Sequence, residues 1–197
     1  MHDLSRGGIN MTSSTCAVFE GGKSGTVKNM TRDSIKKTLT NEEDNGMGKV
    51  SLIFFRSNCI GCHACEVACK QEHGLGVGPR LVKVIEQTPN FIPVYCHHCA
   101  DAPCKKACPV EAISRNEQGI VLIDHELCIG CKACVEACPF GAMQFDEHRE
   151  IAVKCDLCVV RLKNNEEPAC SLACPTDCII WGDMNKIQGY IEKELVK

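Results

Sequence analysis

Sixteen of the eighteen cysteines in this 197-residue chain fall into four groups of four between Cys59 and Cys174, and few folds can accommodate that arrangement. Cys59, Cys62, Cys65 and Cys69 read C-x2-C-x2-C-x3-C. Cys96, Cys99, Cys104 and Cys108 read C-x2-C-x4-C-x3-C-P. Cys128, Cys131, Cys134 and Cys138 read C-x2-C-x2-C-x3-C-P, and Cys155, Cys158, Cys170 and Cys174 read C-x2-C-x11-C-x3-C-P. The repetition is the organising fact of the chain.

Cysteine at about nine per cent signals either a disulfide scaffold or metal chemistry. Disulfides persist in oxidising compartments. Residues 1–15 lack the apolar core of a secretory signal, and no twin-arginine pair is present. Apolar runs such as Leu52 to Phe55 fall far short of the ~20 residues that span a bilayer. The expectation is a cytoplasmic protein without a direct membrane span, whose thiols are reduced and available to metal.

The spacings suit the cubane [4Fe–4S] cluster. Three cysteines in a tight loop grip three irons while loop N–H groups face the cluster sulfurs, and Gly61 and Gly130 inside the C-I-G-C stretches ease that approach. In the bacterial two-cluster pattern the fourth cysteine ligates the other cluster. On a regular helix the first three cysteines of a group would spread ~9 Å along the axis, too far to wrap one cube. The triplets are therefore expected as loops, with each fourth cysteine on the short helix that follows. Zinc uses pairs of C-x2-C, and Cys96–Cys99 with Cys155–Cys158 admits that reading. Every group here, however, adds a third cysteine and a fourth at a constant offset from it. Four [4Fe–4S] clusters are expected.

A net charge of −3 and a pI near 6.2 disfavour a nucleic-acid partner. Each oxidised cluster on four thiolates adds about −2, which would take four clusters and the chain to roughly −11. One Trp, two Tyr and six Phe leave little apolar bulk, so the fold is expected to depend on its metal.

Residues 1–47 are polar and carry one cysteine, Cys16; a flexible arm is expected there, and Met47 is an alternative start. A strand is expected over Lys49 to Phe55. Ile113–Ser114 and Ile120–Ile123 flank the turn Asn116 to Gly119 and read as a hairpin, as do Ala142–Phe145 and Ile151–Val153. Short helical turns should lead into each fourth cysteine, and proline after it stops three of them. Ile187, Ile191 and Leu195 sit four apart in an amphipathic tail.

With Pro93-Val-Tyr-Cys96-His-His-Cys99 and the eleven-residue gap of the last group, residues 49–183 resemble the four-cluster ferredoxin-type electron-transfer subunits of dimethyl sulfoxide reductase and formate dehydrogenase. The resemblance implies an α+β, loop-rich fold of two ferredoxin-like units, one inserted in the other. The first would comprise 48–93 plus 147–183 and the inserted one 94–146, with 184–197 as a C-terminal tail. It also implies the ligand sets. Cys59, Cys62, Cys65 and Cys174 would hold one cluster, and Cys155, Cys158, Cys170 and Cys69 its neighbour. Cys96, Cys99, Cys104 and Cys138 would hold a third, and Cys128, Cys131, Cys134 and Cys108 the fourth. The implied function is a relay of single electrons between a catalytic subunit, a molybdenum or tungsten pterin enzyme, and a second redox partner. The chain itself offers no nucleophile–base pair, open metal site or cofactor fold, so it is not read as an enzyme. Alternatives are a free polyferredoxin, an electron carrier for a hydrogenase or carbon monoxide dehydrogenase, and a non-redox metal-binding module.

Among the remaining residues, Cys178 reads as a buried thiol near a cluster and Cys16 as a free thiol on the arm. His63, His97 and His98 lie inside cysteine loops and read as surface or packing residues, with tuning of a cluster as the alternative. Ala17-x4-Gly22-Lys23-Ser24 lacks the strand and helix that a phosphate loop needs.

Overall fold

The computed structural model describes residues 18–19, 49–55, 58–87 and 90–187. The expected flexible arm lies outside the described residues apart from the two-residue strand β1 (Val18–Phe19), and the tail lies outside them beyond Ile187. The fold is α+β, with short helices and small sheets.

The strand expected at Lys49 to Phe55 forms as β2 (Val50–Phe55), buried along its whole length. A run that is apolar but for Ser51 suits a strand covered on both faces. It pairs parallel with β1 and antiparallel with β9 (Ile179–Asp183), in the register Leu52↔Trp181. This sheet joins the two ends of the cysteine-rich region.

Helix α1 (Ala64–Glu72) leads into the hairpin β3 (Val82–Gln87) and β4 (Asn90–Tyr95). Helix α2 (Pro103–Lys106) leads into the hairpin β5 (Ile113–Arg115) and β6 (Val121–Ile123). Helix α3 (Ala133–Glu136) leads into β7 (Gln144–Asp146) and β8 (Ile151–Val153), likewise antiparallel. Helices α4 (Val159–Lys163) and α5 (Ala169–Leu172) then precede β9. Both hairpins read from the turn residues form as expected. In the first, Gly119 takes φ +80° and the Asn116 side chain accepts the Ile120 N–H at 2.8 Å.

The helices pack in pairs. α1 lies on α5, and α2 lies on α3. The buried apolar side chains form two clusters. The larger gathers β2, β3 and β9 residues with Leu157 and Leu162, and the smaller gathers Ile113, Val121, Met143 and Ala152. Cysteines are members of both. The sulfur side chains are thus a substantial part of the core of a protein poor in aromatics.

Candidate metal centres

The local backbone repeats with the cysteines. His63, Ala102, Lys132 and Cys158 each stand in the left-handed region immediately before a helix. In three groups the residue three after the fourth cysteine also has positive φ: Glu111 at 54°, Gly141 at 60° and Asp177 at 50°. Each donates its N–H back to that cysteine's carbonyl, at 3.4, 3.2 and 3.4 Å. Proline at the intervening position removes the donor that would continue the helix. The first group has Lys70 there instead of proline, and α1 runs on to Glu72.

One expectation is corrected by these boundaries. The third cysteine of each group is not in the loop but in the helix: Cys65, Cys104, Cys134 and Cys170. Except for Cys69, the fourth cysteine follows the helix rather than lying within it. In α1 alone the third and fourth cysteines, Cys65 and Cys69, lie four apart within one helix and share a face.

Gly61 and Gly130 both take φ +69°, at the same place in their groups. Close approach to a cluster is not their only demand. A Cβ on Gly61 would stand 2.2 Å from the Phe91 ring, and one on Gly130 would stand 2.4 Å from the Glu150 carbonyl oxygen.

A cavity is lined by Cys69, Cys155, Cys158 and Cys170, together with His73 and apolar side chains including Leu52, Tyr95, Leu157 and Ile179. Burial pushes the Cys69 thiol up to about 12, and proximity to Cys158 adds to the rise. Cys155 and Cys170 are also raised, first by burial; Cys155 feels Cys170 and Cys69, and Cys170 feels Cys158 and Cys69. Four thiols so placed stay neutral without a cation between them. With iron they supply an all-sulfur donor set, which fits a cubane.

The other thiols have neighbours of the same kind. Cys65, raised to about 12 by burial and then Glu66, lies near Cys174 and Cys59. Burial and Cys96 raise both Cys99 and Cys104, and Cys138 acts on each. Cys134 is raised to about 11 by burial and then Cys128, with Cys104 and Cys131 adding to it. Cys108 packs, with Cys104, Cys128 and Cys138, against the small cluster of buried residues that contains Cys134. Cys62 and Cys131 are the exposed cysteines among the described residues. Backbone N–H groups of His98, Leu157 and Cys178 point at the sulfurs of Cys96, Cys155 and Cys174, at 3.4, 3.4 and 3.3 Å. Such donors stabilise thiolate sulfur.

The histidines of the cysteine loops are largely occupied by packing. His63 is raised by its contacts with Glu86 and Glu66, at 2.9 and 3.2 Å. His97 stacks between Tyr95 and Phe140, with centroids at 5.3 and 4.2 Å. His98 is buried and accepts the Val121 N–H on Nδ1 at 3.0 Å. Another histidine, His73, brings its ring to a cysteine, and sequence reasoning did not single it out. Its Nε2 stands 3.6 Å from Cys158 Sγ and 3.5 Å from Asp156 Oδ1. Its position four residues after Cys69 was the available signal.

Comparison with known proteins agrees with this chemistry. Residues 87–184 match the family described as a 4Fe-4S dicluster domain, and residues 56–72 match a 4Fe-4S binding domain. Over 153 residues the sequence is 39% identical to the thiosulfate reductase electron transfer subunit of Salmonella typhi, covering 71% of this chain and 80% of that one. It is 36% identical over 158 residues to the B subunit of the polysulfide reductase of Wolinella succinogenes, covering 75% and 83%. The formate dehydrogenase iron-sulfur subunit of that organism is 34% identical over 169 residues, covering 72% and 84%. By name these are an electron transfer subunit, a B chain and an iron–sulfur subunit of two reductases and a dehydrogenase, and the class is that of 4Fe-4S electron carriers. This protein belongs to the family of electron-transfer iron–sulfur subunits of oxidoreductase complexes. No helix among the described residues is long and apolar enough to cross a membrane.

Proposed function

We propose that this protein relays electrons along four [4Fe–4S] clusters arranged in one line between two partner proteins. The observation that carries the reading is the cavity lined by Cys69 of the first group with Cys155, Cys158 and Cys170 of the fourth. When bound, each cluster takes up and returns one electron.

The ligand sets are those the family resemblance implies. Cys59, Cys62, Cys65 and Cys174 form one, and Cys69, Cys155, Cys158 and Cys170 the second. Cys96, Cys99, Cys104 and Cys138 form the third, and Cys108, Cys128, Cys131 and Cys134 the fourth. The packing of α1 on α5 and of α2 on α3 supports the exchange of fourth cysteines. It also supports two ferredoxin-like units, one (94–146) inserted in the other (48–93 plus 147–183), since β2 pairs with β9 around the insertion.

Electrostatic neighbours between the sets support a linear order. Cys65 acts on Cys170, Cys96 on Cys155, and Cys104 on Cys134. The set with Cys59 thus stands at one end and the set with Cys128 at the other. Each end carries an exposed cysteine, Cys62 or Cys131. Beside it is an isoleucine open to solvent: Ile60 is 60% exposed and Ile129 64%. These are the two points at which partners would exchange electrons. One partner is a catalytic subunit of the molybdenum or tungsten pterin type, as the resemblance implies, and the other a second redox protein. The need for reduced thiols favours the cytoplasm as its compartment.

Anaerobic isolation from the native cell tests the reading. About sixteen irons per protein, four reducible centres and a stoichiometric partner containing molybdenum or tungsten are expected. Zinc in place of iron, or a colourless and electron-inert protein, would overturn it.

A further inference from the structure

Lys154 follows β8, immediately before Cys155, and is only 6% exposed. Its ammonium donates to two carbonyls, that of Cys155 at 2.8 Å and that of Val121 on β6. Both acceptors are neutral, and among the described residues no carboxylate pairs with it. An ammonium taken from water costs several kcal/mol unless an anion meets it. Among the described residues no carboxylate supplies that anion, so the compensating charge is sought in the thiolates around it.

The surroundings identify it. Lys154 adjoins Cys155, a ligand of the cavity set, and its charge also reaches Cys104, a ligand of the neighbouring set. Cys155 and Cys96, from the same two sets, lie within electrostatic reach of each other. The cation thus touches the backbone of a cysteine of one central set and lies within electrostatic reach of a cysteine of the other. A cubane on four thiolates carries about −2 when oxidised and −3 when reduced, so each added electron is drawn to a nearby buried cation.

Resting on the four-cluster reading, we infer that Lys154 is a buried counter-cation shared by the two central clusters, holding both of their reduction potentials above what the same cysteine cages would give alone. By acting on both, it shifts the two potentials together and leaves the step between them little changed. A purely structural lysine would instead serve to tie the β6 carbonyl to β8, a role that a neutral donor can fill.

The test compares holo-protein variants Lys154→Met, Lys154→Gln and Lys154→Arg by iron content and by redox titration followed by electron paramagnetic resonance. With iron unchanged, Met and Gln should lower two of the four midpoint potentials and leave two in place, while Arg stays near the parent. Four unmoved potentials, or an Arg variant shifted as far as Met, would overturn the inference. Should neither neutral variant load iron while Arg loads fully, retained charge is what distinguishes them and the inference stands. Failure of all three to load would place the role in the lysine stem and count against it. A parent protein that itself lacks four clusters would instead defeat the functional reading beneath, a separate outcome.

Discussion

The sulfur atoms of Cys174 and Cys178 lie 3.3 Å apart, and the Cys178 N–H also points at Cys174 Sγ. The hydrogen bond from Cys178 brings the Cys174 thiol down to about 5, against the opposing effect of burial. Cys178 is itself raised by the same contact. Four residues after the fourth cysteine, the second and third groups carry Ala112 and Ala142, equally buried. Cys178 therefore adds an S–H donor where the repeats have a methyl group. A donor to ligand sulfur favours the reduced cluster. Cys178→Ala is expected to keep four clusters and to lower the midpoint potential of the one held by Cys174, with the others unmoved. Redox titration checks this; an unchanged set of potentials would show that the contact carries no electronic consequence.

Gly61 and Gly130 share a conformation but face different obstacles. Alanine at either position costs roughly 1–2 kcal/mol for the left-handed backbone. At Gly130 the added methyl meets the Glu150 carbonyl, which the β7–β8 turn holds in place. At Gly61 it meets the Phe91 ring, a side chain that can be exchanged. Overpacking adds about 1–3 kcal/mol in each case. Both single alanine variants should lose about 3 kcal/mol, measured by denaturant unfolding of the iron-loaded protein. Adding Phe91→Leu should recover part of the loss in Gly61→Ala. The same second change should do nothing for Gly130→Ala, and equal rescue of both would contradict this account.

Much of this architecture is legible in the order of residues, because short-range rules govern it. Asn116 to Gly119 mark a hairpin by turn chemistry, and Pro109, Pro139 and Pro175 stop helices that would otherwise run on. The cysteine spacings point to cubanes because four thiolates have to converge. What escaped reading depends on contacts between distant segments. The pairing of β2 with β9 joins residues more than a hundred positions apart, and no local pattern specifies it. Lys154 adjoins Cys155 in the sequence, but only folding buries it against the Val121 carbonyl, and only folding brings His73 to Cys158. Gly61 and Gly130 invite a cluster-centred explanation in the sequence, whereas the tightest contacts come from Phe91 and Glu150.

Glu66 offers a test by pH. Its buried carboxylate accepts the Val84 N–H at 2.5 Å and pairs with Arg80 at 2.9 Å and His63 at 3.2 Å, tying α1 to β3. Burial opposes its ionisation, but Val84, Arg80 and His63 outweigh it and hold the group below the ordinary value of 4.5. A depressed carboxyl contributes stability above its unfolded pKa, and that contribution disappears as pH falls through the folded one. Glu66→Gln should therefore be less stable than the parent near neutrality by about 1.5–3 kcal/mol, the scale of a charged hydrogen bond. The gap should narrow below about pH 4.5. Acid loss of iron affects both proteins, so the difference in their urea midpoints is the quantity to follow. A gap that stays constant down to about pH 3 would show that the carboxylate charge contributes nothing.

Removal of iron tests how far the fold depends on its centres. Cys65, Cys69, Cys155, Cys170, Cys174 and Cys178 belong to the larger buried cluster of side chains, and Cys134 to the smaller. Three of the sheets have only two strands, and isolated two-stranded hairpins are marginal in water. Without iron, the small apolar groups left around these thiols have little with which to offset the entropy of ordering the loops. Binding free energy of the metal then becomes folding free energy. Chelation under reducing, anaerobic conditions should abolish the cooperative thermal transition and most of the near-ultraviolet circular dichroism, and reconstitution with iron and sulfide should restore both. Retention of a cooperative melt by the stripped, reduced protein would mean that the β2–β9 sheet and its neighbours suffice, and that the clusters are passengers in an independently stable fold.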